Sequence, residues 1–428
     1  DAGGATPYVA PRRGGRWELR YGSPEEFFAA VAASGAALPL HDGLLGPVYP
    51  GCYTTHVAEK ENMRRAEREL GELEGMWTLL ALRGTPYPMG AIAELWWRLC
   101  YLQFHDIVTG TGSPEAHRDS AAHYHELFLR SLALRRRAQA LLDAHARPPA
   151  AGEARVVALW NPSPAAWSGV ARVDLELPLD RESRGAEELP ASGELVGPGG
   201  ERTPYQLVSR RVYQRYVRGA AIFRPARLGG MELRSYGLVA APGGAAAGGL
   251  VAEGSVLSNG LLRVDCSGGG VVGSVQRVRD GRELLAGAAP VALELWPETD
   301  YYHDYGTPMK AWQLGVTDRR EEPVLLEGPT IVESGPVRAT VRLVHAWGSS
   351  RFESFVSLYA GEEWVELRVV ADWQEKEVLL RLRVRLALGE RRAIRYGIPY
   401  GTETATGREK ELPIVGWADV SDEERGVA

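Results

Sequence analysis

Apolar residues recur at helical spacing in three consecutive stretches in the first third of the chain. Steps of three and four residues separate them, so each stretch carries one apolar seam on a helix. The seams are Met63, Ala66, Leu70, Leu73, Trp77 and Leu80, then Ile92, Leu95, Leu99 and Leu102, then Tyr124, Leu127, Leu134, Ala138 and Leu141. The first helix is predicted from Thr55 to Arg83, and Ser113-Pro114-Glu115 caps the third. This pattern predicts an antiparallel three-helix bundle over residues 51–150.

After Pro148-Pro149 the apolar period changes to two, because Val173, Leu175 and Leu177 alternate with polar residues. Segments with strand character follow, and we predict strands at 156–159, 211–218, 221–224, 261–264, 291–296, 337–346, 352–358, 364–372 and 378–386. A glycine-rich segment at 193–200 is interpreted as a loop, and another at 242–249 as a domain boundary. The predicted fold class is therefore α+β and multidomain: a tail and linker at 1–50, the bundle, a small β-sandwich at 151–245 and a large, supersandwich-like one at 246–428.

Composition and charge narrow the possible partners. A length of 428 residues fits several domains rather than one core. The net charge of −6 supplies no basic field for nucleic acid, and no apolar run is long enough to span a bilayer, so neither nucleic acid nor membrane is expected as a partner. Cys52, Cys100 and Cys266 have neither metal nor disulfide-framework spacing, which favours a reducing compartment. Together with the abundance of Ala, Gly and Arg, this predicts a bacterial cytoplasmic location.

The candidate chemistry lies where the second seam ends. One further step along that seam reaches Asp106, where an apolar residue would be expected, and His105 precedes it. Gly110 and Gly112 follow as helix-terminating residues. The pattern predicts a helix that presents His105 and Asp106 at its C-terminal end. A His–Asp pair that only caps the last turn is the alternative, because a cationic imidazole is favoured there. The histidines of the third helix are interpreted as surface or core residues, namely His117, His123, His125 and His145.

Five segments together carry a family resemblance. The stretch QFHDIVTGTG (Gln103–Gly112) resembles a signature of glycoside hydrolase family 38, the retaining α-mannosidases. The other four segments are similar to family motifs in the same order along the chain. They are YPGCYTTHVAEKENMRRAERELGELE (49–74), WNPSPAAW (160–167), LSNGLLRVDC (257–266) and IPYGTETATG (398–407).

The resemblance implies roles for the His–Asp pair. His105 would be one ligand of a divalent metal, usually zinc, and Asp106 would contact a sugar of a mannose-containing oligosaccharide. The nucleophile, the proton donor and the other metal ligands belong in this family to an N-terminal α/β domain. Nothing in residues 1–50 resembles that domain, and His41-Asp42 is interpreted as a polar turn. We therefore expect a fragment of a metal-dependent α-mannosidase, with no catalytic residues of its own and no activity in isolation.

One segment departs from the family pattern. Tyr301–Gly315 reads YYHDYGTPMKAWQLG, and Lys310 stands where the family usually has an aspartate, which reverses the charge there. Tyr301–Tyr305 is either part of a sugar site or an ordinary exposed loop. The alternative to an enzyme is a non-catalytic carbohydrate-binding or scaffold protein that retains these domains. The resemblance also implies that a homo-oligomer is possible.

Overall fold

The structure is a computed structural model that describes residues 22–40, 49–145, 155–178, 192–213, 216–239, 249–299, 311–315, 317–389, 392–405 and 411–422. The chain divides into two compact units, Asp1–Gly46 and Pro47–Ala428. The described part of the first unit contains helix α1 (Pro24–Ala33). Its N-terminus forms a capping box, in which the Ser23 hydroxyl accepts from the Glu26 amide and the Glu26 carboxylate accepts from the Ser23 amide.

The second unit begins with the predicted helical bundle. A 3₁₀ turn at Pro50–Tyr53 leads into α2 (Val57–Ala81), α3 (Met89–Leu102), the short α4 (His105–Val108) and α5 (Pro114–Asp143). The predicted seams form its core, where the fully buried side chains include Leu70, Leu73, Trp77, Leu80, Leu99 and Leu127. No helix follows Asp143 in the described residues, and strands alone make up the rest. The predicted switch from helices to strands is therefore confirmed.

The prediction that one helix carries His105 and Asp106 at its C-terminal end is wrong. Helix α3 ends at Leu102, and Phe104 is extended with ψ at 141° before α4 begins. The Gln103 side-chain amide donates to Glu67 of α2 over 2.8 Å, which fixes the break. An uninterrupted helix would place the Asp106 carboxylate on the buried seam, where it would lose its hydration. The break turns this residue toward solvent instead.

A six-stranded antiparallel sheet forms the next part of the chain. Its strands are β1 (Arg155–Trp160), β2 (Ala171–Pro178), β3 (Ser192–Val196), β4 (Arg202–Val212), β5 (Tyr216–Phe223) and β6 (Leu233–Val239). Their order in the sheet is β1-β6-β3-β4-β5-β2. Tyr205, Phe223 and Tyr236 fill its apolar core, and the last two rings meet edge to face at 5.5 Å.

Two predictions within this sheet are corrected. The segment 211–218 is not one strand, because β4 ends at Val212 and the chain turns before β5. The Tyr213 amide donates to the Tyr216 carbonyl over 2.8 Å across this turn, and the two rings stack. The segment 193–200 is not all loop, because its first residues belong to β3. Gly193 is needed there, since a Cβ would meet the buried ring of Tyr205 at 2.6 Å.

The sheet contacts the bundle through a tryptophan. Trp160, at the end of β1, packs against the core of the bundle and lies over Gly75 of α2. A Cβ at Gly75 would lie 2.8 Å from the Trp160 indole and 3.4 Å from Pro162. Glycine at this helix position therefore provides the room that the indole occupies.

The remaining strands form the larger β region. They are β7 (Val251–Glu253), β8 (Val256–Ser258), β9 (Leu262–Asp265), β10 (Ser274–Arg277), β11 (Arg282–Glu283), β12 (Val291–Pro297), β13 (Val324–Ser334), β14 (Arg338–Trp347), β15 (Ser350–Tyr359), β16 (Val365–Asp372), β17 (Val378–Val384), β18 (Arg392–Ile398), β19 (Gly401–Thr404) and β20 (Ala418–Asp422). The sheets are β11-β10-β9-β8-β7, β12-β17, β13-β14-β15-β16 and β19-β18-β20. Leu257, Leu295, Val341 and Phe352 belong to one buried core that joins the first three.

A buried glutamine joins the small sheet to this larger region. The Gln206 side chain accepts from the amides of Val337 and Arg338 over 3.0 and 2.8 Å, and it donates to Glu333 over 2.8 Å and to the Arg338 carbonyl over 2.9 Å. Gly335 leaves the space for it, because a Cβ there would overlap the glutamine amide. All the hydrogen-bonding capacity of the Gln206 oxygen and nitrogen is thus used at the junction.

Buried asparagines account for two of the sequence motifs. In WNPSPAAW, the Asn161 amide donates to the carbonyls of Ala165 and Gly229, each over 2.8 Å. In LSNG, the Asn259 amide donates to the Tyr359 carbonyl over 2.8 Å, and its oxygen accepts from two following backbone amides. Both side chains fix loops by satisfying backbone groups. These motif residues therefore serve the fold.

Candidate functional site

The His105–Asp106 pair lies at the start of α4 and is exposed. The two side chains are 67% and 57% accessible, and His105 Nε2 lies 3.3 Å from Asp106 Oδ2. The other Asp106 oxygen accepts from the Thr111 hydroxyl over 3.3 Å, and the Thr111 and Thr109 hydroxyls are 2.7 Å apart. The His105 ring rests on Phe104, with centroids 4.2 Å apart. The pair therefore presents an imidazole and a partly oriented carboxylate to solvent.

The glycines after the pair determine its backbone path. Gly110 has a φ of +79°, and a Cβ there would lie 2.6 Å from the Thr55 carbonyl. Its amide donates to the Ile107 carbonyl over 3.0 Å, which closes α4. Gly112 lies against the Asp106 carbonyl, which a Cβ would approach to 3.2 Å. The two glycines therefore let the loop fold back between the start of α2 and the His–Asp pair.

One ligand of a metal site is available here. His105 is an accessible imidazole, and neutral imidazole is a good zinc ligand. No group of three or more His, Cys, Asp or Glu side chains that could hold a metal is found among the described residues. Zinc sites in proteins take three or four protein ligands. The residues present thus fit one ligand position, and the described part of the chain does not complete the set.

A buried polar cluster lies behind this loop, and no sequence pattern predicted it. Glu59 of α2 and His117 of α5 have side chains only 8% and 10% accessible, and the His117 Nδ1 lies 3.0 Å from Glu59 Oε1. The Ser120 hydroxyl donates to the same carboxylate oxygen and, over 3.0 Å, to the His117 carbonyl. The His56 ring stacks on His117 at 4.1 Å. Of the four histidines predicted on the third helix, His117 is thus the buried one, and His145 lies beyond the end of α5 at Asp143.

Burial also changes the acidity of groups around this cluster. Desolvation lowers the pKa of Lys60 to about 8, and its ammonium donates to the Thr55 carbonyl. Desolvation, followed by repulsion from His117 and Lys60, lowers the pKa of His56. Burial raises the pKa of the Cys52 thiol, which therefore stays protonated at neutral pH. The region is polar but partly withdrawn from water.

Ala311 and Trp312, from the segment Tyr301–Gly315 that departs from the family pattern, contact the start of the bundle. The Gly51 amide donates to the Trp312 carbonyl over 2.9 Å, and the Thr55 hydroxyl donates to the Ala311 carbonyl over 3.0 Å. A cavity of about 290 Å³ lies beside this contact, lined by Thr55, Glu298, Thr299, Ala311, Gln313, Gly315 and Glu377. Lys310 and Tyr301–Tyr305 lie outside the described residues, as do His41 and Asp42.

An aromatic face runs along α3 toward the pair. Trp97, Tyr101 and Phe104 are 77%, 64% and 51% exposed, and the Tyr101 ring meets His123 edge-on at 5.8 Å. A groove of about 420 Å³ lies here, and Glu94 and Arg98 supply its polar edge.

Among the described residues, no helix is both long enough and apolar enough to cross a membrane.

Family models match the helical bundle and the larger β region. The α-mannosidase middle domain matches residues 48–142, and the C-terminal domain of glycosyl hydrolases family 38 matches residues 257–428. These matches place the chain among the glycosyl hydrolases. It belongs to family 38, of which it carries the middle and C-terminal domains, and the resemblance expected from the sequence motifs is confirmed.

Individual proteins agree with this assignment. Human α-mannosidase 2C1 is 24% identical over 375 residues, and mouse α-mannosidase 2C1 is 25% identical over 373 residues. Each alignment covers 85% of this chain and 31% of the relative, so the chain spans about a third of the length of these curated relatives.

Solved structures share the fold. A glycosyl hydrolase family 38 protein from Enterococcus faecalis has a TM-score of 0.68 at 15% identity, covering 91% of this chain and 51% of its own. An α-mannosidase from Enterococcus faecalis V583 has a TM-score of 0.64 at 13% identity, covering 89% of this chain and 49% of its own. At such identities, the likeness concerns the fold alone.

Proposed function

We propose that the chain is the middle and C-terminal part of a metal-dependent, exo-acting, retaining α-mannosidase that removes terminal α-mannosyl residues from oligosaccharides. The observation that carries this proposal is the exposed His105–Asp106 pair on the bundle of a family 38 chain. A retaining glycosidase needs two carboxyl groups about 5–5.5 Å apart, one as nucleophile and one as acid/base. We assign neither role to this chain.

Each residue of the pair has a separate task in this proposal. His105 would hold the metal through its neutral imidazole, together with ligands from the N-terminal α/β domain. When bound, the metal supplies Lewis-acid stabilisation and a fixed point for sugar hydroxyls. Asp106 accepts hydrogen bonds from the sugar, and the Thr111 hydroxyl orients its carboxylate.

Three free cysteines within the described residues support the proposed cytoplasmic location.

The isolated chain should bind zinc weakly and should not hydrolyse glycosides, because one imidazole cannot compete with water and buffer for the metal. Calorimetry with zinc and release of nitrophenol from a nitrophenyl α-mannoside test both expectations. Submicromolar zinc binding that depends on His105, or turnover by the chain alone, would contradict the proposal.

The positive test uses the enzyme that includes the α/β domain. His105→Ala should lower kcat/KM by more than about 100-fold, above the 10–100-fold typical for loss of an outer partner of a metal ligand. The matched control is His125→Ala, because His125 is an exposed histidine of the same bundle. Full activity in His105→Ala would contradict the metal-ligand role of His105. No α-mannosidase activity in the native protein with its α/β domain would instead favour the alternative, a non-catalytic carbohydrate-binding or scaffold protein.

A further inference from the structure

Stabilisation of the helix packing does not explain why Glu59, His117 and Ser120 form a polar cluster at this position. Glu59 Oε2 and His117 Nε2 are buried and have no hydrogen-bond partner among the described residues. Burying a carboxylate and an imidazole costs desolvation free energy, and apolar residues of similar size usually stabilise such a position as well or better. A polar cluster at a helix junction has another property: hydrogen bonds fix direction and distance, which apolar contacts do not.

The position that it fixes is that of the loop after the His–Asp pair. A Cβ on Gly112 would lie 3.5 Å from His117 Nε2 on one side and 3.2 Å from the Asp106 carbonyl on the other. The imidazole edge of His117 therefore faces the loop at Gly112. Thr111, between the two loop glycines, donates to the Asp106 carboxylate.

The opposite side of the loop lies against the residues that lead into α2. Gly110 lies against the Thr55 carbonyl and the Cβ of His56. His56 in turn stacks on His117, and Lys60 donates to Thr55. The loop thus lies between two surfaces that are linked to each other through the cluster.

We propose that Glu59 and His117 are positioning residues for the His105–Asp106 pair. The Glu59 carboxylate holds the His117 ring, the ring supports the loop at Gly112, and the loop places the Thr111 hydroxyl against Asp106. The meaning of this arrangement for sugar binding rests on the proposed function, whereas the arrangement itself does not.

The test is made on this chain without metal or sugar. His117→Phe keeps a flat ring but removes the hydrogen bond to Glu59. We expect the Gly110 amide, which donates to Ile107, to exchange at least about 10-fold faster, a factor that corresponds to about 1.4 kcal/mol. The carbon signal of the Asp106 carboxyl should shift with it, while amide exchange at the bundle-core residue Leu99 stays unchanged.

Two further variants keep the result interpretable. Glu59→Gln keeps an oxygen that accepts from His117 and Ser120, so it should retain most of the native Gly110 and Asp106 signals. Glu59→Leu has no such acceptor and should lose them. Glu115→Gln is the matched control, because Glu115 is an exposed glutamate of the first turn of α5. If His117→Phe does not fold, Ser120→Ala carries the same expectation, since it removes one hydrogen bond to Glu59.

The outcomes separate this proposal from the proposed function. The proposal is supported if only the Gly110 exchange rate and the Asp106 signal change in His117→Phe and Glu59→Leu, while Glu59→Gln keeps both near their native values. Equal loosening at Leu99, or no change at Gly110, overturns it and leaves the cluster with a purely structural role. Because these signals need no metal and no substrate, they stand even if His105→Ala proves harmless in the complete enzyme.

Discussion

Gln206 offers a sharp test of how the β-domains are joined. In Gln206→Leu, the amides of Val337 and Arg338 lose the oxygen that accepts from both, at a position where Val337 is only 3% accessible. Each buried group left without a partner costs about 1–3 kcal/mol. Two orphaned amides therefore predict a loss of about 2–6 kcal/mol, and the retained side-chain volume limits any cavity contribution.

Urea denaturation with a fluorescence readout measures this loss as a change in the free energy of unfolding. Gln374→Leu is the control, because Gln374 is exposed and its substitution should change stability by less than about 0.5 kcal/mol. Gly335→Ala should reproduce the Gln206→Leu effect, because its methyl group would overlap the glutamine amide. A loss below about 1 kcal/mol in Gln206→Leu would refute the reasoning, since it would mean that water satisfies both amides.

Two other predictions concern the bundle. Gly75→Leu should lower the free energy of unfolding, measured by urea denaturation, by about 1–3 kcal/mol, because the new side chain must displace the Trp160 indole. Gly71→Leu is the control and should cost far less, since a side chain there has open space. Equal losses in the two variants would contradict the Trp160 contact. Lys60, whose pKa falls from 10.5 to about 8 on folding, binds fewer protons in the folded than in the unfolded chain between these values, so its contribution to stability should rise with pH across that window. Stability measured at pH 7 and pH 10 should show this rise in the native chain relative to Lys60→Met, and identical pH dependence in both would exclude it.

The helical seams could be predicted because burial of one face depends on spacing within the chain. Leu70, Leu99 and Leu127 lie in the core for that reason. The break before His105 could not be predicted, since no glycine or proline marks it and the Gln103–Glu67 hydrogen bond joins two residues that are 36 positions apart in sequence.

The turn between β4 and β5 was missed for a similar reason. It contains no glycine among its described residues, and its stabilising contact is the stacking of Tyr213 on Tyr216. The family motifs identified the candidate site, but they did not reveal Glu59. A glutamate in the first turn of a helix is normally explained by its favourable interaction with the helix dipole. Only the fold brings Glu59 to His117.

Three contacts join the bundle, the small sheet and the larger β region to one another in a ring. The bundle meets the small sheet where Trp160 covers Gly75, the small sheet meets the larger β region at Gln206, and that region returns to the bundle where Trp312 meets Gly51. A body joined at three points in a circuit has no free hinge, because rotation at one joint strains the other two. The His–Asp pair and the cavity beside Thr55 therefore lie on parts of the chain that are braced against each other.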